Sequence, residues 1–491
     1  MEVQNFDAYE TIIGLEVHAQ VLTKSKMYCS CSADYANAEP NTHVCPVCLG
    51  LPGALPVMNR VAIESVIRTG LALNCTIPPH CKLDRKNYVY PDLPKGYQIS
   101  QYDLPLCTTG TIEFAVADRI VTAGITRVHI EEDTGRLVHE SSFDGDTTLV
   151  DLNRSGVPLM EIVGDPDLRS PEEAREYLIF LRQILRYIDA STASMEDGAF
   201  RCDANISVRR KSDGFWGPKI EIKNMNSFRA VERALRHEEI RQRQVLDDRG
   251  ELVQETRGWL DGKGVTVSQR TKEQAHDYRY FPEPDLPPLS VTADHVKTVL
   301  ATLPELPVAR RSRFTDALGM SKSDAETLTA ERNIADIFEQ AIDGVTSAEE
   351  IRATVNWTVN DILGLSRAQN LEDHELALNA LQIRDLVSLV SQELLTARSA
   401  KEILPELKPH ELPSDAAKRL NLLATGDADE LALAAKSAID DNPAVVQDYL
   451  GGKQAALGRL IGEVMKRTGG RARPDAVRQA LISALEEEKT P

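Results

Sequence analysis

Apolar and polar residues alternate in short runs through roughly the first 165 residues. Gly14-Leu-Glu-Val-His-Ala-Gln20 and Ile125-Thr-Arg-Val-His-Ile-Glu131 are examples, with turn residues between such runs. A period of two predicts strands with one packed face and one open face. The period then lengthens. Ser170 stands as a helix N-cap, Pro171 fits the first turn, and Glu173 is placed to complete a capping box. Ala174, Tyr177, Leu178, Leu181, Ile184, Leu185 and Ile188 follow at helical spacing. Strand-like runs return over 201–209 and 219–223, and Ser227 caps a second helix that ends near Gly250. Four prolines in Phe281-Pro-Glu-Pro-Asp-Leu-Pro-Pro288 exclude a helix or a central strand and mark a boundary. Beyond it Ala, Leu and Glu recur at helical spacing, with a further break near Leu404-Pro-Glu-Leu-Lys-Pro409 and Leu412-Pro413. The pattern predicts an α+β fold, with a sheet-rich domain over 1–293, a helical domain over 294–409 and a small helical tail over 410–491.

Composition narrows the class. A chain of 491 residues is too long for one ordinary core. It holds no apolar run of 18 residues, so no membrane span is expected. The acidic start MEVQNFDAYE has neither signal-peptide nor transit-peptide character, so a cytoplasmic protein is expected. A formal charge of −19 argues against a protein that coats nucleic acid non-specifically. The sign reverses locally: Lys453, Arg459, Lys466, Arg467, Arg471, Arg473 and Arg478 face only Glu463 and Asp475, with Leu457, Leu460, Ile461 and Val464 as an apolar stripe. A helical module with a cationic face suits an RNA backbone. The competing reading is a solvated helix face.

Two groups of residues carry chemistry. Cys29-Ser-Cys31 and Cys45-Pro-Val-Cys48 bring four thiols into two close pairs, which suits a structural zinc knuckle over 29–48. Reduced, uncoordinated thiols are the alternative. Cys75, Cys81, Cys107 and Cys202 read as structural, and His43 and His80 as substitute ligands. The other group is acidic. Strand periodicity points Glu16 with His18, Asp203 with Asn205, Glu221 with Lys223, and His129 with Glu131. Glu132 adjoins them in a Glu-Glu-Asp run that a bulge could turn inward, and Glu161 interrupts an apolar run. Buried, unpaired carboxylates are costly unless a cation compensates them. Several around Mg²⁺ can hold a nucleotide's phosphates. The competing reading is again a solvated face on each strand. Between Asp84 and Gln101, Arg85, Lys86 and Lys95 could meet phosphate, and Tyr88, Tyr90 and Tyr97 could stack on a base.

Taken together these segments resemble a known family. They are Tyr9-Glu-Thr-Ile-Ile-Gly-Leu-Glu-Val-His18, Arg85-Lys-Asn-Tyr88, Gly96-Tyr-Gln-Ile-Ser-Gln101, Glu131-Glu-Asp133, Asp151-Leu-Asn-Arg154, Arg201-Cys-Asp-Ala-Asn-Ile-Ser207, Lys223-Asn-Met-Asn-Ser227 and Asp277-Tyr-Arg-Tyr-Phe-Pro282. They are similar to the B-subunit family of the tRNA-dependent amidotransferases, and Tyr449-Leu-Gly-Gly-Lys-Gln-Ala-Ala-Leu-Gly458 resembles that family's YqeY-like tail. The resemblance covers nearly the whole chain. It implies a cradle-like antiparallel sheet domain related to glutamine synthetase, then a helical domain and a tail that bind tRNA. It also implies a GatCAB heterotrimer in which an amidase A subunit, accompanied by a small C subunit, releases ammonia from glutamine. The B subunit would use ATP and Mg²⁺ to phosphorylate the side-chain carboxylate of Glu on tRNA(Gln), or Asp on tRNA(Asn), before amidation. The family's metal and catalytic positions carry over to Glu16, His18, Glu131, Glu132, Asp203 and Glu221, with Glu161, Arg85, Lys86, Lys95, Arg154 and Lys223 as phosphate or substrate contacts. Lys453, Arg459, Lys466, Arg467, Arg471 and Arg473 would meet tRNA, and any zinc at Cys29, Cys31, Cys45 and Cys48 would be structural. A stand-alone amide ligase and a non-catalytic tRNA chaperone are the rival readings. The basic tail argues against the first and the retained acids against the second.

Overall fold

The computed structural model describes residues 8–142, 145–271, 278–424 and 428–487. Asp277, and most of the acidic N-terminal segment read above, lie outside them. The chain divides into two compact units, 1–306 and 307–491.

The first unit is a mixed α/β body. Its strands are β1 (Tyr9–Gln20), β2 (His80–Cys81), β3 (Asp84–Asn87), β4 (Tyr97–Ser100), β5 (Cys107–Val116), β6 (Arg119–Glu132), β7 (Arg136–Ser142) and β8 (Gly145–Asp151). They continue as β9 (Pro158–Gly164), β10 (Phe200–Arg210), β11 (Ile220–Lys223), β12 (Glu255–Leu260), β13 (Val265–Thr271), β14 (Phe281–Pro282) and β15 (Leu289–Ser290). Eight of them form one sheet in the order β13-β12-β11-β10-β1-β9-β6-β5. Every pairing is antiparallel except β11 with β12. A three-stranded sheet, β14-β3-β4, carries the 84–101 stretch, and the proline-rich β14 takes its edge, where a missing N–H is tolerated.

Helices α1 (Arg60–Ala72), α2 (Pro171–Tyr187) and α3 (Phe228–Asp247) pack on the large sheet. The seven apolar positions expected of α2 are all buried in this core. Burying each such aliphatic or aromatic side chain contributes about 1.5–3 kcal/mol. Ser170 caps α2 by accepting from the Glu173 N–H at 3.2 Å. The capping box is not closed, however. The Glu173 carboxylate reaches one residue further back, to the Arg169 N–H at 2.6 Å, and also meets Arg119. Helix α4 (Ala293–Ala301) packs against α1, so the first unit continues past the proline-rich stretch.

Strand β6 changes phase. Val121, Ala123 and Ile125 belong to the core, but after an irregularity between Ile125 and Arg127 the core positions are Val128 and Ile130. One extra residue has entered the strand. Arg127, His129 and Glu131 therefore share the opposite face. The bulge lies upstream of the place where one was expected.

The second unit is helical, from Pro307–Leu318 to Pro474–Glu487, and includes a π-helical turn at Trp357–Ile362. Its apolar side chains gather around Phe314 and Phe338, around Ile383, Leu386 and Ile403, and around Leu460, Val477 and Leu481. The last cluster starts at Leu431, whereas Ala416 and Ala417 belong to the second. No helix among the described residues is long and apolar enough to cross a membrane.

Candidate active site

The register of the large sheet lays out the candidate residues in rows. Arg127 stands opposite Val163, Val163 opposite Glu16, and Glu16 opposite Asp203. The next row runs His129, Glu161, His18, Arg201, and the next Glu131, Leu159, Gln20. Neighbours within a row are about 4.8 Å apart in the hydrogen-bonding direction. The interleaved positions Val17, Val128, Ile162 and Cys202 enter the core. A cavity of about 500 Å³ opens on the row-bearing face. Among the described residues six carboxylates line it (Glu16, Glu131, Asp133, Glu161, Asp203 and Glu221), with the cations Lys86, Arg127, Arg201 and Lys223. Tyr88, Tyr102, Tyr278 and Tyr280 form an aromatic wall, in which Tyr102 stacks on Tyr280 at 4.4 Å.

His18, Glu131 and Glu161 converge most closely. Each offers one ligand atom, and these atoms lie within 4.8 Å of one another. His18 Nε2 is 3.2 Å from Glu161 Oε2 and 3.9 Å from Glu131 Oε2. His129 Nε2 lies 3.2 Å from Glu131 Oε1 and 3.5 Å from Glu161 Oε2. Glu131 is also fixed from β4, by Ser100 Oγ at 2.7 Å and Gln98 Nε2 at 3.0 Å. One imidazole and two carboxylates suit a hard or borderline divalent cation.

The charges are balanced within the protein. Burial alone would raise the Glu131 carboxyl, but the Lys86 ammonium and His129 bring it down to about 2. Burial likewise opposes ionisation of Glu161, and His129 and His18 hold it well below the usual range. Burial lowers His18, yet Glu161 overcomes this and leaves the imidazole more basic than usual. On the far side of the cavity Lys223 Nζ is 2.5 Å from Asp203 and 3.8 Å from Glu221. Glu221 accepts from the buried Thr256 hydroxyl at 2.8 Å, and Glu16 accepts from Asn205 Nδ2 at 3.1 Å.

Glu132 is placed elsewhere. The register past Ile130 is regular, so Glu132 points away from Glu131. It accepts from the Ile99 N–H at 2.9 Å and pairs with Lys95. Both line a second cavity, of about 190 Å³, together with Tyr28, Cys29 and Cys48. The inward turn expected of Glu132 does not occur, because the extra residue sits at Ile125/Arg127. Lys95 leaves the main cavity with it. Arg85 also points away from Lys86 on β3. It binds Glu283 at 2.6 and 2.8 Å, covers the Tyr97 ring and does not line the main cavity. Arg154 donates to the Thr134 and Gly135 carbonyls at 3.0 and 2.6 Å, outside that cavity lining. Tyr90 is exposed on its loop.

The four clustered cysteines do converge. The sulfurs of Cys29, Cys31, Cys45 and Cys48 lie within 4.8 Å of one another. The Cys29 thiol is the largest influence on Cys48, which is brought down to about 5; buried Lys26 assists, with its Nζ 3.8 Å from Cys48 Sγ. This donor set fits tetrahedral zinc. His43 and His80 are not among its donors. Cys75, Cys81, Cys107 and Cys202 are buried and separate from it. Burial pushes the Cys75 thiol up to about 12 and, despite a hydrogen bond from Gln101, the Cys81 thiol up to about 11.

In the tail, Lys453 pairs with Asp448, Arg467 with Asp441, Arg471 with Glu430 and Arg473 with Glu393. Arg459 and Lys466 are exposed. Sequence periodicity missed Arg127, Tyr278, Tyr280, Gln98 and Ser100 as cavity or supporting residues. The signal for Arg127 was present: two polar residues between Ile125 and Val128 break the alternation.

The chain matches the model of the GatB/GatE catalytic domain over residues 11–297 and that of the GatB domain over 336–485. It is 52% identical over 480 residues to the B subunit of the aspartyl/glutamyl-tRNA(Asn/Gln) amidotransferase of Thermomicrobium roseum, covering 98% of this chain and 99% of that one. Proteins of the same name from Dehalococcoides mccartyi (50%, covering 98% and 99%) and Carboxydothermus hydrogenoformans (47%, covering 97% and 99%) are similar over the same extent. The chain therefore belongs to the family of B subunits of the aspartyl/glutamyl-tRNA(Asn/Gln) amidotransferases.

Proposed function

We propose that this protein activates a tRNA-borne carboxylate for amidation. A side-chain carboxylate oxygen of Glu on tRNA(Gln), or of Asp on tRNA(Asn), attacks the γ-phosphorus of ATP, and ADP leaves. Ammonia then attacks the acyl carbon, inorganic phosphate leaves, and a proton is lost as the amide forms. This is a glutamine-dependent, carbon–nitrogen-forming ligase reaction. The observation that carries the reading is the convergence of His18, Glu131 and Glu161 in a cavity that also gathers Glu16, Asp203, Glu221 and Lys223. A carboxylate is a poor electrophile until phosphorylated, and phosphoryl transfer depends on positioning and charge neutralisation.

His18, Glu131 and Glu161 would hold the divalent cation, with Glu16, Asp203 and Glu221 beside them. Bound there, Mg²⁺ would supply charge neutralisation for phosphate oxygens. Lys86 and Lys223 present ammonium groups to the same space. Gln98 and Ser100 keep Glu131 from rotating, and Thr256 does the same for Glu221. We place Glu132 and Lys95 outside the metal set, in the adjoining cavity.

The sheet unit supports the cradle-like, glutamine synthetase-related architecture. The three-part division at 293 and 409 is retained as a functional proposal, with helical parts that contact tRNA. The tail's contact would run through Arg459 and Lys466 first, since both are exposed and neither forms an ion pair among the described residues. Ammonia would come from an amidase A subunit within a heterotrimer completed by a C subunit, in the cytoplasm. Zinc at the four cysteines would be structural.

The test is ATP hydrolysis by the assembled enzyme. Misacylated tRNA should stimulate it and uncharged tRNA should not. Hydrolysis indifferent to the aminoacyl group would favour a ligase acting on small molecules, and none with either tRNA would favour a chaperone.

A further inference from the structure

Among the described residues four cations line the main cavity, and two of them are committed within the protein. Arg201 grips Asp133 through both terminal nitrogens, at 3.1 and 2.9 Å, and Lys223 reaches Asp203 at 2.5 Å. Lys86 is enclosed by the Tyr88 and Tyr278 rings, and Glu131 contributes to holding its charge. Arg127 differs from all three. Among the described residues no carboxylate lies within ion-pair distance of it, and its Nε is buried without a hydrogen-bond partner.

This arrangement is unfavourable for the isolated protein. A guanidinium keeps its charge throughout the range in which proteins fold. Partly burying that charge without a partner costs free energy. The side chain is half-buried, with Nε the atom sealed from water, and the bulge in β6 sets it on the cavity face, in the row of Glu16 and Asp203 and next to that of His129 and Glu161. Its five donors form a planar fork that matches paired oxygens of a phosphate or carboxylate.

We infer that Arg127 binds an oxyanion brought into the cavity by a reactant, through two of that group's oxygens. The inference rests on the reading of this cavity as the active site. Two reactants carry the required chemistry: ATP through a phosphate, and the aminoacyl group through its side-chain carboxylate.

The test uses the complete amidotransferase carrying Arg127→Met, Arg127→Lys or, as control, Glu131→Gln. Arg127→Met should leave the melting temperature unchanged or raise it, since the guanidinium has no protein partner to lose. Amide formation should fall by about tenfold to a hundredfold, as expected for a charge-assisted hydrogen-bonded contact. Arg127→Lys should fall between, keeping charge but losing the fork. If ATP binding with Mg²⁺ and no tRNA weakens in parallel, the bound group is a phosphate. If ATP binding is unchanged and only the KM for misacylated tRNA rises, it is the carboxylate. Wild-type amidation by Arg127→Met beside an inactive Glu131→Gln overturns the assignment and spares the cavity. Activity lost only in proportion to a fall in melting temperature overturns it as well. An active Glu131→Gln removes the cavity reading and this assignment together.

Discussion

Both carboxylate oxygens of Glu131 are occupied, Oε1 by Ser100 and His129, Oε2 by Gln98. Glu131→Gln would turn one oxygen into an NH₂ group facing donors, and it should abolish ATP-dependent amide formation without unfolding the protein. Product assay beside circular dichroism checks this. A milder effect is expected at Thr256, which touches no reactant. Thr256→Val removes one hydrogen bond to the Glu221 carboxylate while leaving Lys223 beside it, and kcat should fall by about tenfold. His18 gives a pH dependence. Glu161 outweighs burial and makes the imidazole hold its proton more tightly than usual. A cation taking His18 Nε2 must displace that proton, so affinity falls as pH drops through the raised pKa. Mn²⁺ titrations should show weaker binding at pH 6 than at pH 8, and equal affinities would remove His18 from the ligand set.

At the scale of elements, the strands and their open faces were readable because period-two alternation survives in β1 and β10, while in β9 a single acid in an apolar run marks the open face. Glu16 and His18 could be paired from spacing alone. β6 was only partly readable. Counting from Ile125 gives the correct neighbours for Glu131, but the core side changes between Ile125 and Val128, and a strict period of two has no term for the extra residue. Glu132 follows strict alternation past Ile130, and the bulge expected to turn it inward lies upstream, at Ile125/Arg127. The union of β4 with Glu131, and of Tyr278 and Tyr280 with Lys86, was unreadable since these contacts join distant stretches. The bulge is buttressed. Thr126 Oγ1 donates to Asp165 at 2.5 Å, and the Gly124 N–H donates to Asp167 at 2.9 Å. A Cβ on Gly124 would collide with the Asp165 side chain. Gly124→Ala should therefore cost about 1–3 kcal/mol, measurable by denaturant unfolding, and should lower amidation further by displacing Arg127.

At the scale of the whole chain, a net charge of −19 coexists with a basic tail whose cations are mostly paired. Removing everything after Ala424 takes away the entire apolar cluster that begins at Leu431. That truncation should weaken tRNA binding more than ATP hydrolysis. Unchanged affinity in a filter-binding assay would end the tail's proposed role. The rows of the large sheet have a consequence for assembly. β1 pairs with β10 across roughly 190 residues of chain, and β9 and β6 must join before any row exists. Such non-local pairing is slow to form. Closing the sheet also gathers into one cavity the acids and cations that the unfolded chain keeps dispersed, and with them the convergent ligand atoms of His18, Glu131 and Glu161. A divalent cation that recognises only the closed sheet would raise its stability by mass action. The lifetime of the closed sheet should then depend on ionic supply as well as on its own sequence, with a larger fraction of chains opening where free divalent cation is scarce.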